Sequence, residues 1–307
     1  MMDWSDRHYR YFMRQVNADA FLYTEMITTG ALIHGDVERH LAFSKEEHPV
    51  GLQLGGSEPD DLAKCAMLGE KYGYDEINLN IGCPSERVQR GAFGACLMAE
   101  PQLVADCVKA ILAKTHLPVT VKHRTGIDAV ESYEFLKNFV ATVAAAGCKT
   151  FIVHARNAML KGLSPKENRE IPPLKYGYAY RLKQDFPELE IVINGGIASM
   201  EEVQVHLQHV DGVMLGRAAY HDPWVLTDAG KTRSRVVEEM VKYCSVENEK
   251  NTSLKSIVRH MLGLYHGERK ARLWRRMLSD APALARNDPR LLLEALEAVE
   301  SRSMMAA

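Results

Sequence analysis

Cys83 stands in Asn80-Ile81-Gly82-Cys83-Pro84, directly after the apolar run INLNI at 77–81. A free thiol has a reference pKa of about 8.5, so at neutral pH it is mostly protonated and can give up a proton to a reacting group. The plain alternative is a buried, inert cysteine, which is the reading for Cys65, Cys107 and Cys148 in their helical or apolar surroundings. Cys96, in GAFGACLM, shares the glycine-rich stretch near Cys83, but position after a strand favours Cys83. A second chemistry is anion binding. Asn194-Gly195-Gly196 and Gly216-Arg217 each follow a short apolar run. Glycines there let backbone N–H groups approach a phosphate closely, and Arg217 adds charge. Two tight turns are the competing explanation.

These residues need strands to hold them. The runs AFLYT (20–24), VGLQL (50–54), INLNI (77–81), PVTVK (118–122), TFIVH (150–154), IVIN (191–194) and GVMLG (212–216) read as seven strands separated by helical patterns. Ser57-x-x-Asp60 and Ser199-x-x-Glu202 predict helix starts at 57–72 and 199–208. Alternating strands and helices imply a parallel sheet, and seven strands are one short of a (β/α)₈ TIM barrel. The chain opens with a loop and helix, MMDWSDRHYRYFMRQV, so the missing first strand belongs upstream of Met1. In such barrels functional residues gather at the C-terminal ends of the strands. Gln53, Asn78, Asn80, Lys122, Arg124 and His154 fall there, with the two glycine turns.

The 307 residues carry 38 Lys plus Arg against 40 Asp plus Glu, 46% apolar and 25% charged, which suits a globular protein and excludes a disordered or disulfide-stapled one. The six cysteines form no CxxC pair, so no structural metal is expected. No run is long and apolar enough to predict a membrane span, and no secretory signal is visible, so a cytoplasmic monomer is expected. The pattern divides into a barrel over 1–226, a polar linker at 227–235 and a helical domain over 236–307. Residues 255–276 hold seven basic residues against the single acid Glu268, interleaved with Tyr265 and Trp274. Such a patch suits phosphate contacts and base stacking on nucleic acid, with a solvated basic helix face as the alternative.

The segments LYTEM (22–26), EEHPVGLQLGG (46–56), YDEINLNIGCPSERVQRGAFGACLM (74–98), VTVKHRTGID (119–128), FIVHAR (151–156), SPKENREIPPL (164–174), INGGI (193–197), DGVMLGRAAY (211–220) and RHMLGLYHG with RLWRRML (259–278) closely resemble the tRNA-dihydrouridine synthases. SPKENREIPPL resembles their A-type bacterial branch. The resemblance implies an FMN-containing (β/α)₈ barrel with a C-terminal helical domain. It further implies NADPH-dependent reduction of uridines 20 and 20a in the D-loop of tRNA. It makes Cys83 the acid that protonates uracil C5 while hydride reaches C6. By the same resemblance Met1, Met2, Gln53, Lys122, His154, Asn194, Gly195, Gly196, Gly216 and Arg217 contact FMN. Asn80, Lys166, Arg169, Arg272 and Arg275 contact tRNA. Family members begin with a strand ending in Ala-Pro-Met, of which only Met1 is present here, so the chain reads as lacking the first barrel strand. Two other readings stay open: an FMN barrel acting on a small pyrimidine-like substrate, and an inactive, truncated RNA-binding protein.

Overall fold

A computed structural model describes residues 1–300 of the chain. They form two compact units, one of residues 1–2, 21–43 and 48–216, the other of 3–20, 44–47 and the chain from Arg217 on. The first unit is built on a parallel sheet of eight strands: β1 (Leu22–Tyr23), β2 (Ile27–Thr28), β3 (Val50–Gly55), β4 (Glu76–Ile81), β5 (Val119–His123), β6 (Thr150–His154), β7 (Glu190–Asn194) and β8 (Gly212–Met214). Their order is β1-β3-β4-β5-β6-β7-β8, with β2 also paired to β3, the order of a TIM-type sheet. AFLYT thus yields the two-residue β1, and a second short strand that the pattern does not show follows it. Leu22 pairs with Val50 and Ile27 with Leu54, so five steps along one strand match four on the other. The extra residue is a bulge between β1 and β2.

Side chains in a strand alternate between faces, and β4 shows why INLNI is not apolar throughout. Ile77, Leu79 and Ile81 are buried in the apolar core with Leu62 and Ala66 of helix Pro59–Tyr72 and Val104 and Ile111 of helix Pro101–Leu112. Glu76, Asn78 and Asn80 take the opposite face. At about 25 cal/mol per Å² of apolar surface removed from water, the outer layer stabilises the sheet, and the inner polar face needs hydrogen bonds to match.

Ser199 caps its helix as expected: its side chain accepts from the Glu202 N–H, and helix Met200–Leu207 follows. Ser57 does not cap. Helix Pro59–Tyr72 starts behind Glu58 with Pro59 in its first turn, where a missing N–H costs nothing.

The second unit is helical. Helix Arg7–Val16, capped by Asp6, belongs to it, and Arg10 Nε donates to Glu47 Oε2 at 2.7 Å. The sequence division at 226 and 236 therefore differs from the compact units, because helix Arg7–Val16 packs against the other helices of the second unit. Helix Arg233–Glu249 also reaches into the expected linker, started by Thr232, whose side chain accepts from the Arg235 N–H. Tyr265 and Trp274 correct the base-stacking expectation. Trp274 is fully buried, its indole N–H donates to Met261 O at 2.8 Å, and its ring centre lies 4.9 Å from that of Tyr265. Both are core residues of this unit.

Candidate active site

The loop after β4 is held from three sides. Asn80 Oδ1 accepts the backbone N–H groups of Gly82 (3.1 Å) and Cys83 (3.0 Å), folding the chain into an Asx-type turn that leaves Cys83 half-buried. Arg124, on the residue after β5, donates from Nε to Gly82 O at 3.1 Å. The Cys83 carbonyl accepts from the Ala95 N–H at 3.0 Å, in the turn Gly94–Ala99. Cys96 lies in that turn with its Sγ 3.1 Å from Phe93 O, and burial pushes its thiol pKa up. The sequence favours Cys83 over Cys96 on position, and the structure gives Cys96 a partner inside its own turn.

Asn80 also donates from Nδ2 to Gln53 Oε1 at 2.8 Å, and Gln53 donates from Nε2 to Asn78 Oδ1 at 2.9 Å. Gln53 keeps a second N–H and a second lone pair for a ligand. Lys122, the register neighbour of Asn80 on β5, reaches past β6 to donate to Asn194 Oδ1 at 3.2 Å. Its pKa is pushed down to about 7, first by burial and then by the like charge of Arg124, with Cys83 opposing. Asn194 is fixed in turn by donating to Met214 O at 2.7 Å.

The turn after β7 requires its glycines. Gly195 has φ +118° and Gly196 φ +76°, and a Cβ on Gly195 would stand 2.8 Å from Cδ2 of His154. The half-buried His154 ring therefore lies against the Gly195 backbone. Tyr176 holds the turn from outside, its hydroxyl donating to Gly195 O at 2.7 Å. A Cβ on Gly216 would meet only Met1 Sδ, at 3.6 Å, so Met1 belongs to the end of β8, while Met2 is exposed. Arg217 opens helix Arg217–His221 in the other unit.

Asn168 and Arg124 are the two residues that the sequence undervalued. Asn168 is buried: its Oδ1 accepts from the Met159 N–H at 2.8 Å and its Nδ2 donates to Met159 O at 2.9 Å, tying the loop after β6 to itself. Arg124 donates from Nη1 to Asn168 O (2.8 Å) and Asn157 O (3.2 Å) as well as to Gly82 O, joining that loop to the Cys83 loop. Lys166 and Arg169 are exposed on the same loop, and Arg169 is near enough to push the Arg124 pKa down, behind burial and alongside Arg156. The signal available in the sequence was an arginine within a run of polar strand-end residues. In the helical unit Arg272 and Arg275 are exposed on helix Ala271–Met277, with Lys255, Arg269 and Arg276 exposed in the same stretch. Arg259 is paired with Asp6 at 2.6 Å, and Lys270 donates to the carbonyls of Ala298 and Val299.

A family model described as dihydrouridine synthase (Dus) matches residues 1–300. The chain belongs to the dihydrouridine synthase family. It is 56% identical over 290 residues to a tRNA-dihydrouridine(20/20a) synthase of Shewanella oneidensis, covering 91% of this chain and 86% of that protein. It is 55% identical over 313 residues to the enzyme of that name from Escherichia coli K12, covering 98% and 90%. A Synechocystis protein of the same name is 53% identical over 317 residues, covering 100% and 95%. Among solved structures, a 2-naphthoyl-CoA reductase complex superposes with a TM-score of 0.55 at 11% identity, over 74% of this chain and 46% of that one, a likeness of fold.

The dihydrouridine synthases are flavin enzymes, and the residues here fit a flavin. A half-buried ammonium, the spare N–H of Gln53 and the His154 ring offer donors to its polar edge. The bare backbone at Gly195, Gly196 and Gly216 offers N–H groups to a phosphate. Among the described residues no helix is long and apolar enough to cross a membrane.

Proposed function

We propose that this chain reduces uridine to 5,6-dihydrouridine in the D-loop of tRNA, at positions 20 and 20a, with FMN as cofactor and NADPH as reductant, in the cytoplasm. The observation that carries the reading is Cys83. It is half-exposed on a loop whose geometry is fixed by Asn80 and Arg124, close enough to Lys122 and Arg124 to affect the pKa values of both. Saturating the uracil C5=C6 bond takes one hydride and one proton. FMN, when bound, supplies the hydride for C6. Cys83 supplies the proton for C5 from its Sγ. Lys122, Gln53, His154, Asn194 and the glycine turns at 195–196 and 216 hold the cofactor, with Met1, Met2 and Arg217 as further contacts. The target base must leave its stack to reach a thiol at the mouth of the barrel. Asn80, Lys166 and Arg169 receive it, and Arg272 and Arg275 on the helical unit hold the body of the tRNA.

The relatives' names support the tRNA reading over a small-pyrimidine reductase, and the exposed arginines of the helical unit have no use in the latter. The test is single-turnover conversion of an unmodified tRNA by the purified protein, read as dihydrouridine formed. A yellow protein that oxidises NADPH, binds no tRNA and leaves uridines 20 and 20a intact would overturn it.

A further inference from the structure

An unbroken line of hydrogen bonds runs through the inside of the sheet, from the Cys83 loop to the opposite end of β4. The Gly82 and Cys83 N–H groups donate to Asn80 Oδ1, Asn80 Nδ2 to Gln53 Oε1, and Gln53 Nε2 to Asn78 Oδ1. Asn78 Nδ2 then donates to Thr120 Oγ1 at 2.7 Å, and the Thr120 hydroxyl donates to Glu76 Oε1 at 2.5 Å. Asn78 and Thr120 are buried, and Glu76 is 8% exposed.

Every link in this line donates in the same direction. The direction is fixed at the loop end: the backbone N–H groups of Gly82 and Cys83 can only donate, so Asn80 must present its Oδ1 to them, and each amide after it must donate onward. A line that donates throughout has to end on an acceptor. An ionised carboxylate is the strongest one available, and it takes the Thr120 proton while the Thr120 lone pair faces Asn78. We infer that Glu76 is a positioning residue: by accepting at the far end of the line, it keeps every donor in it matched and thereby holds the Gln53 and Asn80 amides and the Cys83 loop. Its use in catalysis rests on the dihydrouridine reading above; the holding of the loop does not.

The groups facing Glu76 are the Tyr23 hydroxyl from β1, Thr120 from β5, Cys148 just before β6 and Glu190 from β7. None is cationic. Burial pushes its pKa up to about 7, the bonds from Thr120 and Tyr23 oppose this, and Glu190 adds to it. The carboxylate is thus ionised above about pH 7, and below it the neutral acid is a weaker acceptor for Thr120, so the last bond of the line weakens.

Glu76→Gln keeps the shape and replaces the ionised acceptor with a weaker, neutral one. Thr120→Val cuts the line while leaving the carboxylate in place, and serves where Glu76→Gln does not fold. In the flavin-loaded protein, hydrogen exchange at the Gly82 and Cys83 amides should quicken about tenfold in either variant, the scale of one lost hydrogen bond, while amides in β6 and β7 keep their protection. Single-turnover dihydrouridine formation should lose its acid limb in Glu76→Gln, with the rate at pH 8 down about tenfold. Wild-type exchange at Gly82 and Cys83 in both variants would overturn the inference, as would a Glu76→Gln rate and acid limb equal to wild type. Faster exchange in a protein that forms no dihydrouridine would uphold the positioning role and sink the proposed function instead.

Discussion

Arg124 Nε lies 3.1 Å from the carbonyl oxygen of Gly82, so a guanidinium rooted at the end of β5 grips the Cys83 loop one residue before the thiol. The same side chain donates to the carbonyls of Asn157 and Asn168 and is 3% exposed. A lysine keeps the charge but loses the planar fork. Arg124→Lys should destabilise the protein by about 2–3 kcal/mol, because at least two buried carbonyls lose their donor. The single-turnover rate should fall about tenfold as the loop loosens. Chemical denaturation beside the single-turnover assay checks both, and a variant of wild-type stability would show that the three carbonyls do not need the guanidinium.

Cys83 and Cys96 make a direct comparison. Cys83→Ala should keep its flavin and its oxidation of NADPH but lose about 10²–10⁴-fold in dihydrouridine formation, the usual scale of general acid catalysis. Cys96→Ala should stay within about twofold, since the hydrogen bond of its thiol is to Phe93 O inside its own turn. The same loss from both variants, or from Cys96→Ala alone, would move the proton donor.

Much of this was legible in the sequence for a physical reason. Strand-end polar residues such as Gln53, Asn80, Lys122 and Asn194 interrupt apolar runs, and a parallel sheet of this type brings its strand ends together. Glu76 and Asn168 were not legible. An acid at the start of a strand looks like an ordinary solvated end, and only the register that sets it beside Thr120 shows it buried. Asn168 sits among charged loop residues whose pattern gives no sign that its amide ties the loop together. Tyr265 and Trp274 misled because interleaving with arginines is also what a short helix shows when one face enters a core.

Lys122 gives a pH signature. Its folded pKa is about 7 against about 10.4 unfolded, so folding favours its neutral form. Below pH 7 both states hold the proton and the full penalty for burying the charge is present. As pH rises from 7 toward 10.4 the unfolded chain holds more protons than the folded one, and stability increases. Lys122→Met should therefore stabilise the flavin-free protein most below pH 7, with the gain shrinking to nothing near pH 10.4. It should also purify with less flavin. Melting temperature against pH decides the first point and flavin absorbance per protein the second; a constant difference across pH would remove Lys122 as the cause.

Gly94 has φ +77°, and a Cβ there would stand 2.5 Å from Val88 Cγ1 and 2.7 Å from the Cys83 carbonyl oxygen. Gly94→Ala should cost about 1–3 kcal/mol through the strained backbone and the clash. Because the clash falls on Cys83 itself, turnover should drop while flavin content holds. Thermal melting and single-turnover rates test this, and a variant with unchanged turnover would show that the loop absorbs the shift without moving the thiol.

Arg272 and Arg275 stand three residues apart on helix Ala271–Met277, so they share one exposed face. Among the described residues neither is tied up as Arg259 is with Asp6 or Lys270 with the carbonyls of Ala298 and Val299. Phosphate contacts release counterions, so each one lost should flatten the plot of log affinity against log salt by nearly one unit. Replacing both arginines with glutamine should weaken tRNA binding and reduce that slope by about two. Reduction of an artificial electron acceptor by NADPH needs the flavin but no RNA, and should be unchanged. The decisive measurement is tRNA affinity at several salt concentrations. Wild-type affinity with a wild-type slope would make this face a solvated one and send the search for the RNA contact to Lys166 and Arg169 on the loop after β6.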